Sequence, residues 1–477
     1  MSRSVQPDIL FVIADDHRPD MLGLTDEPAA HTPTLDALAQ QGFRFANHCT
    51  TTPICTPARA EVLTGVTTAR NGVPWFGMPI DPSLTLMPQA FRDAGYHTIH
   101  VGKWHNDGHP RDKGYDQTRC VFRQDNLAHY EADGHQLRFA HDGGEVSGHS
   151  STLFVDQMIE AMRRAPEDRP RFAYLAFHAP HDPFQSPEPF ASMFVPAKLD
   201  LPPDYMPEHP VDNGEMTIRD ELLLPHPRTP EAIRRYRTAY AGIVAHMDHE
   251  LGRLIQHLRD AGRLDRTLIV YTSDHGLAVG SHGLLGKENM HEHSIRVPLL
   301  MRGPGVPQSA SSTAMTHHVD LLPTLCELAG VDQPVTARDG QSLASLFAEP
   351  SHRLRDALLF TFQSQRPGEA VAPTQRAIRT ERHKLMFHVR AQQYRLFDLH
   401  HDPHELADLL APWRLNRPSE RRGAYAPSPW SEPASWQEPE PTATRELAEQ
   451  LRQRMIRMQQ EANDPAAELT SQLGLCP

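Results

Sequence analysis

Residues 9–16 read Ile-Leu-Phe-Val-Ile-Ala-Asp-Asp, an apolar run that stops abruptly at two carboxylates. A short and continuously apolar run is typical of a strand buried on both faces of a parallel sheet. A second apolar run, residues 268–271, also leads to an acid, Asp274. Ligands gather at the carboxyl ends of the strands in such sheets, so we expect both acidic clusters at a functional site.

Helical patterns lie between these two runs. Residues 34–42 predict a short helix, and residues 231–262 predict a longer helix with apolar side chains along one face. That face consists of Ile233, Tyr236, Tyr240, Ile243, Met247, Leu251, Leu254 and Leu258. Strands that alternate with helices form mostly parallel sheets covered by helices, so the pattern predicts an α/β fold.

The pattern changes beyond about residue 351. Residues 384–389 and 394–399 predict an antiparallel hairpin. A late helix is predicted from the apolar spacing of Leu447, Leu451, Met455 and Met458. At 477 residues the chain is too long for one ordinary core. We therefore expect a large domain at residues 1–350 and a smaller α+β subdomain at residues 351–477.

Two segments predict loops because they are rich in proline. The first is residues 180–230, and the second is residues 411–441, which also contains Trp413, Trp430 and Trp436.

Composition argues against several kinds of partner. The formal net charge of −13 at pH 7 gives no global positive field for nucleic acid or for an anionic membrane. No stretch approaches the roughly 18 apolar residues of a membrane span.

The cysteines are Cys49, Cys55, Cys120, Cys326 and Cys476. Their odd number and irregular spacing argue against a disulfide framework or a zinc site and favour reduced thiols.

Residues 55–59 read Cys-Thr-Pro-Ala-Arg, with a Cys, a Pro and an Arg at alternate positions. Other polar motifs follow along the chain: Gly102-Lys103-Trp104-His105, His178, Ser273-Asp274-His275-Gly276 and residues 282–287. Alone, each has an ordinary explanation, such as a buried thiol for Cys55 or a helix cap for Asp15 and Asp16. What is informative is their joint occurrence in this order.

Together these motifs resemble the type I, formylglycine-dependent sulfatases of the alkaline phosphatase-like superfamily over nearly the whole chain. The resemblance implies a large mostly parallel sheet flanked by helices, and a smaller carboxyl-terminal subdomain with an antiparallel sheet. It also implies a sulfuric ester hydrolase in which a formylglycine-generating maturation enzyme oxidises Cys55. In that family one hydroxyl of the hydrated aldehyde attacks sulfur and the other later expels sulfate. A plain thiol has no second hydroxyl for this step.

The resemblance implies one divalent cation as cofactor. Its ligands would be Asp15, Asp16, Asp274, His275 and the modified Cys55, and Asp274 would also assist the attack on sulfur. Oxygen-rich sets of hard ligands suit calcium better than zinc, while a single imidazole leaves magnesium or manganese open.

Hydrolysis of a sulfate monoester also needs positive charge at the non-bridging oxygens and a proton for the leaving alcohol. By resemblance Lys103 and Lys287 contact the sulfate oxygens, and Arg59 holds the formylglycine. His105 assists the release of sulfate. His178 binds sulfate or protonates the leaving oxygen, a task that suits an imidazole. Among the 30 histidines, others such as His181 are expected to be ordinary solvated or hydrogen-bonded groups.

The motifs look most like those of sulfatases that act on sulfated sugars, so we expect an exo-acting carbohydrate sulfatase, with aryl or choline sulfate as alternatives. Candidates to pack against a sugar ring are the tryptophans Trp75, Trp104, Trp413, Trp430 and Trp436, although core packing is the commoner role.

Two other classes of function remain as alternatives. Phosphonate monoester and phosphodiester hydrolases of the same superfamily typically replace the second acid by an amide and lack the Lys-x-His pair. Asp16, Lys103 and His105 therefore favour sulfate. A non-catalytic binding protein would have lost at least one of these groups, and none is missing.

The amino terminus, residues 1–7, lacks the apolar core and the cleavage site of a signal peptide. From the sequence as written we expect a soluble, cytoplasmic protein. A periplasmic or secreted location is the alternative if a leader has been removed.

Overall fold

The structure is a computed structural model that describes residues 6–25, 27–123, 130–141, 144–365, 368–411 and 441–475. Its strands are β1 Asp8–Ala14, β2 Phe43–Cys49, β3 His97–Lys103, β4 Gln117–Phe122, β5 Tyr130–Asp133, β6 Gln136–His141, β7 Gly144–His149, β8 Arg171–Ala176, β9 Thr267–Ser273, β10 Leu299–Arg302, β11 Ala310–His317, β12 Leu358–Ser364, β13 Ala372–Arg379, β14 His383–His388 and β15 Gln393–Asp398. Its α-helices are α1 Pro33–Gln40, α2 Cys55–Thr64, α3 Thr68–Asn71, α4 Met87–Asp93, α5 Ser150–Arg164, α6 Pro230–Asp260, α7 Glu292–Ile295, α8 Leu321–Ala329, α9 Ser345–Ala348, α10 Pro441–Ala462 and α11 Ala467–Gln472.

Eight strands form the large sheet in the order β11-β2-β10-β9-β1-β8-β3-β4. β10 pairs antiparallel with both of its neighbours, and the other pairs are parallel. β1 lies in the middle, and every one of its residues is buried. The predicted α/β class is confirmed, and so are the strands expected at residues 9–13 and 268–271.

Side chains alternate between the two faces of β1, as they do in any strand. Ile9, Phe11 and Ile13 join one apolar core with residues of α2, α4 and α8. Leu10, Val12 and Ala14 join a second core with residues of α1, α5 and α6. The predicted helices at residues 34–42 and 231–262 correspond to α1 and α6. The large sheet is thus covered by helices on both faces.

A second, four-stranded antiparallel sheet has the order β12-β13-β14-β15, and the predicted hairpin is its β14–β15 pair. One face joins an apolar cluster with Ile54, Met290 and Ile295 of the larger part of the chain. The other packs against α10, which confirms the predicted late helix. Residue 351 falls between the last strand of the large sheet and the first strand of this sheet, while the domain boundary itself stays a prediction.

The remaining expectations have mixed outcomes. The predicted loop at residues 180–230 contains only two short 3-10 helices, Pro196–Lys198 and Asp220–Leu222, before α6 begins. The other predicted loop lies outside the described residues, except at its two ends. The small sheet β5-β6-β7 was not predicted. None of the described helices is both long enough and apolar enough to cross a membrane.

A buried ion pair joins the second sheet to the carboxyl-terminal helices. The Arg376 guanidinium donates from Nε and Nη2 to the two Asp464 carboxylate oxygens, each at 2.6 Å. Removing one partner of a buried pair leaves an uncompensated charge, so we expect Asp464→Ala to lower the free energy of unfolding by about 3–5 kcal/mol. Urea unfolding followed by circular dichroism measures this loss.

Glu449 provides the matched control, because it also pairs with an arginine, Arg452, but its side chain is 43% exposed. Glu449→Ala should cost about 1 kcal/mol or less. Equal losses in the two variants would contradict the role given to the buried pair.

Candidate active site

The two acidic clusters meet at one edge of the large sheet. Asp15 and Asp16 follow β1, Asp274 follows β9, and these strands are parallel neighbours. The Asp16 amide donates to Asp274 Oδ1 at 3.3 Å. Asp16 has a φ of 75°, a left-handed conformation in which aspartate is found more often than most residues. The Asp15 and Asp16 carboxylates therefore lie at the end of β1, next to the Asp274 carboxylate at the end of the adjacent strand β9.

Cys55 is the first residue of α2 and is only 2% exposed. Its Sγ lies 3.4 Å from Asp15 Oδ1 and 3.2 Å from His275 Nε2. Burial and the nearby Asp15 carboxylate raise the pKa of the Cys55 thiol. Since the thiolate is the nucleophilic form of cysteine, the unmodified side chain is a poor nucleophile here.

Four buried side chains each offer a ligand atom, and these atoms all lie within 4.8 Å of one another. They belong to Asp15, Cys55, Asp274 and His275. The predicted fifth ligand, Asp16, is placed with Asp15 and His181 in a second such group. Asp16 Oδ1 lies 3.0 Å from His275 Nδ1 and has no hydrogen-bond partner within the described part of the chain. The donor set therefore fits a divalent cation.

The chemistry of this donor set depends on the state of Cys55. A thiolate beside an imidazole suits zinc. An oxygen at the same position would leave hard donors with one imidazole, which favours calcium, magnesium or manganese. Burial opposes a charge on His275, but the Asp274 and Asp16 carboxylates raise its pKa well above the ordinary value. Binding a cation would release that proton, because a ligand imidazole has to be neutral.

Two buried cations contact the metal-ligand candidates. Arg59 donates from Nε to Asp274 Oδ2 at 2.9 Å, and its Nη2 lies 3.6 Å from Asp15 Oδ2. The Lys103 ammonium contacts the same Asp15 oxygen. Burial by itself favours the neutral acid, yet Lys103 and the other positive groups nearby hold the pKa of Asp15 well below its usual range.

A third buried cation, Lys287, lies on the Asp16 side of the site. Its Nζ is 3.5 Å from Asp16 Oδ2, 2.8 Å from Asp220 Oδ2 and 3.4 Å from His181 Nε2. Four carboxylates, Asp15, Asp16, Asp274 and Asp220, thus face three buried cations, Lys103, Arg59 and Lys287. A bound divalent cation would give these groups a net positive charge, and such a cluster attracts an anion.

The two predicted catalytic histidines lie close to these charges, because Asp15 and Lys103 influence the pKa of both imidazoles. His178 Nδ1 is 3.9 Å from Asp15 Oδ2, and the backbone oxygen of His105 accepts a hydrogen bond from Thr56 at 2.8 Å. Burial lowers the pKa of His178 and lowers that of His105 further. Both rings are therefore neutral near pH 7 in the free site.

The structure brings all the predicted site residues together and adds three that sequence analysis missed: Asp220, His181 and Phe76. His181 contacts Lys287, and its imidazole ring lies 5.0 Å from that of His178. Phe76 is 37% exposed and stacks on His105, with ring centroids 5.2 Å apart.

The one sequence signal for His181 is that it lies three residues after His178. Asp220 and Phe76 lie in segments that contain no motif. Of the tryptophan candidates, Trp104 is 3% exposed in the core, whereas Trp75 packs against Phe362 and Phe76. The other three, Trp413, Trp430 and Trp436, lie outside the described residues.

Residues 7–331 match the family model described as Sulfatase, and residues 280–416 match a model described as N-sulphoglucosamine sulphohydrolase, C-terminal. The first match covers more than half of the chain, so the chain belongs to the sulfatase family. It is therefore a sulfuric ester hydrolase with the alkaline phosphatase-like fold, as the sequence motifs predicted.

Individual relatives agree with this assignment. An N-acetylglucosamine-6-O-sulfatase from Bacteroides thetaiotaomicron is 25% identical over 469 residues, with 85% of this chain and 83% of the relative covered. A choline-sulfatase from Rhizobium meliloti is 30% identical over 435 residues, with 85% and 82% covered. A solved structure in complex with its substrate D-glucosamine-2-N,6-O-disulfate has a TM-score of 0.77 at 21% identity, covering 97% of this chain and 99% of its own. At that identity the structural likeness shows the fold.

Proposed function

We propose that this enzyme hydrolyses sulfate monoesters at Cys55 after the oxidation of Cys55 to formylglycine, and that its substrate is a sulfated carbohydrate attacked at a chain end. The observation that carries the proposal is the position of Cys55 at the start of α2, in contact with Asp15 and His275. This role requires a formylglycine-generating enzyme as a maturation partner. The hydrated aldehyde would supply two hydroxyl groups on one carbon.

Asp15, Asp16, Asp274 and His275 would hold the divalent cation, which we propose to be calcium, together with the oxygen introduced at Cys55. The bound cation would supply positive charge to the sulfate oxygens. Arg59 holds Asp274 in place from the α2 side at 2.9 Å. It is therefore placed to orient residue 55, which lies one helical turn earlier.

Lys103 and Lys287 would bind the non-bridging oxygens of the sulfate, because both ammonium groups are buried beside the metal-ligand candidates. Buried positive groups stabilise charge that develops on those oxygens without having to reorganise. The imidazole rings of His178 and His105 lie close to Asp15 and Lys103. We assign proton donation to the leaving oxygen to His178, which would have to gain a proton when the sulfate anion binds beside it, and assistance in the release of sulfate to His105.

Two features support a saccharide as the natural substrate. The relative with 25% identity is named for a sulfated sugar, and the solved structure contains one. In this chain, the exposed Phe76 ring beside His105 can pack against the apolar face of a sugar ring. An aryl sulfate could pack against the same Phe76 ring. Choline sulfate is a third candidate substrate, because one relative is named a choline-sulfatase.

The substrate assignment predicts a ranking of kcat/KM values. Mono-sulfated saccharides should exceed an aryl sulfate, choline sulfate and a phosphonate monoester when all are measured with one mature enzyme preparation. Equal or better turnover of the aryl or choline ester would refute the saccharide assignment. A preference for the phosphonate would also overturn the proposal that sulfate esters are the natural substrates.

A further inference from the structure

Asp220 and Glu221 are consecutive acids in the proline-rich loop at residues 180–230. They begin the 3-10 helix Asp220–Leu222, and they are only 5% and 3% exposed. Buried carboxylates are costly unless they are paired or hydrogen-bonded. Their partners therefore indicate why the loop buries two charges next to each other.

The Asp220 carboxylate divides its two oxygens between two cations. Oδ2 lies 2.8 Å from Lys287 Nζ, and Oδ1 accepts a hydrogen bond from Arg219 Nη1 at 2.8 Å. Arg219 also pairs with Asp182, which follows His181 in the sequence. Asp220 is thus held on one side by Arg219, whose side chain is 59% exposed, and pairs on the other with the buried Lys287.

Glu221 binds the backbone that carries Lys287. Its carboxylate accepts the Leu285 amide at 3.0 Å and the Gly286 amide at 2.9 Å. Arg228, only 1% exposed, donates to Glu221 Oε2 at 2.6 Å and to the Gly283 carbonyl at 3.3 Å. The loop therefore fixes residues 283–286 through one acid and the Lys287 side chain through the other.

Gly286 makes this approach possible. A Cβ added there would lie 2.8 Å from Glu288 Oε2, 3.0 Å from the Asp220 Cβ and 3.2 Å from Glu221 Oε1. All three separations are closer than ordinary van der Waals contact. A side chain at residue 286 would push the two acids away from the segment that they hold.

We propose that Asp220 is a positioning residue that holds the Lys287 ammonium in the orientation needed to bind the non-bridging oxygens of the sulfate. This inference rests on the proposed function, in which Lys287 contacts those oxygens. In the described part of the chain, Lys287 pairs with two carboxylates, Asp220 at 2.8 Å and Asp16 at 3.5 Å. If Asp220 is removed, Asp16 is the carboxylate that remains. The ammonium would then move toward a metal-ligand candidate and away from the sulfate.

The test uses the mature, metal-loaded enzyme and measures two quantities, the inhibition constant Ki of inorganic sulfate and kcat/KM for a sulfate ester. Asp220→Asn should raise Ki and lower kcat/KM about tenfold each, because hydrogen bonds to charged groups have this magnitude. Asp220→Glu keeps the charge and should recover part of the loss. Asp200→Asn, an exposed acid in the same loop, should leave both quantities unchanged.

A double-mutant cycle separates positioning from a general effect on the fold. If Asp220 acts through Lys287, adding Asp220→Asn to Lys287→Ala should change Ki and kcat/KM by less than about twofold. An undiminished loss in that background would overturn the proposal. Tighter binding of sulfate by Asp220→Asn would also overturn the proposal. That result would mean that the Asp220 carboxylate only repels the anion, so that removing its charge strengthens binding. Asp220→Glu allows the same comparison if the asparagine variant does not fold.

The proposed function and the positioning role can fail separately. A mature wild-type enzyme that hydrolyses no sulfate ester would defeat the proposed function. Loss of turnover in Lys287→Ala with normal Ki and kcat/KM in Asp220→Asn would overturn the positioning role alone.

Discussion

Replacing Cys55 by alanine is expected to lower kcat for sulfate esters on the order of 10⁴-fold or more, because the substitution removes the proposed nucleophile. The fold should persist, since the side chain is small and α2 retains its other buried contacts. Steady-state kinetics on the purified variant measures the loss. Peptide mass analysis of the active wild-type enzyme should find the aldehyde at residue 55.

Cys326→Ala is the matched control. Cys326 is also a buried cysteine, at 1% exposure, but it belongs to the apolar core around α8. Its loss should cost some stability and leave kcat near the wild-type value. Fully active protein with an intact thiol at Cys55 would disprove the formylglycine mechanism.

Removal of the divalent cation is expected to lower turnover on the order of 10³-fold or more, with the fold retained. The fold should persist because the buried acids Asp15, Asp16 and Asp274 also pair with the buried cations Arg59, Lys103 and Lys287. Dialysis against a chelator, followed by kinetics and a thermal unfolding scan, separates the two effects. Elemental analysis of active enzyme should find one calcium per chain.

Asp274→Asn should reproduce the loss of turnover, since it removes a charged ligand candidate without changing its shape. Asp265→Asn is the control, because that carboxylate is 97% exposed and pairs with Arg302 at the surface. Zinc at full occupancy, or activity that survives Asp274→Asn, would contradict the assignment of the metal site.

The parts of the site that could be predicted from sequence are those that regular elements position. The apolar run at residues 9–13 indicates a buried strand, and the acids that follow it have to lie at its carboxyl end. The same argument applies to Asp274 after β9. Cys55, Lys103 and Lys287 were identified by motif, and they lie at the predicted place because α2, β3 and the segment after β9 bring them there.

Asp220 and Phe76 could not be predicted, for a physical reason. Each lies in an irregular segment, where no repeat of apolar residues specifies which way a side chain points. Their positions depend on contacts with distant parts of the chain, such as the 2.8 Å pair of Asp220 with Lys287. The reversed direction of β10 has a similar cause, because its four residues carry no periodicity that distinguishes an antiparallel strand from a parallel one.

Among the strands of the large sheet, the one that comes first in the sequence, β1, lies in the middle. As the ribosome releases the chain, β1 emerges long before its two neighbours, β8 and β9. Its apolar residues 9–13 therefore have no sheet partner until residues 171–176 have been made, and they gain the second partner, β9, only after more than half of the printed sequence. Pairing over such long separations is slow, and unpaired apolar strands associate with other chains. We therefore expect the yield of folded enzyme to rise when a chaperone that binds nascent chains covers this strand during that interval.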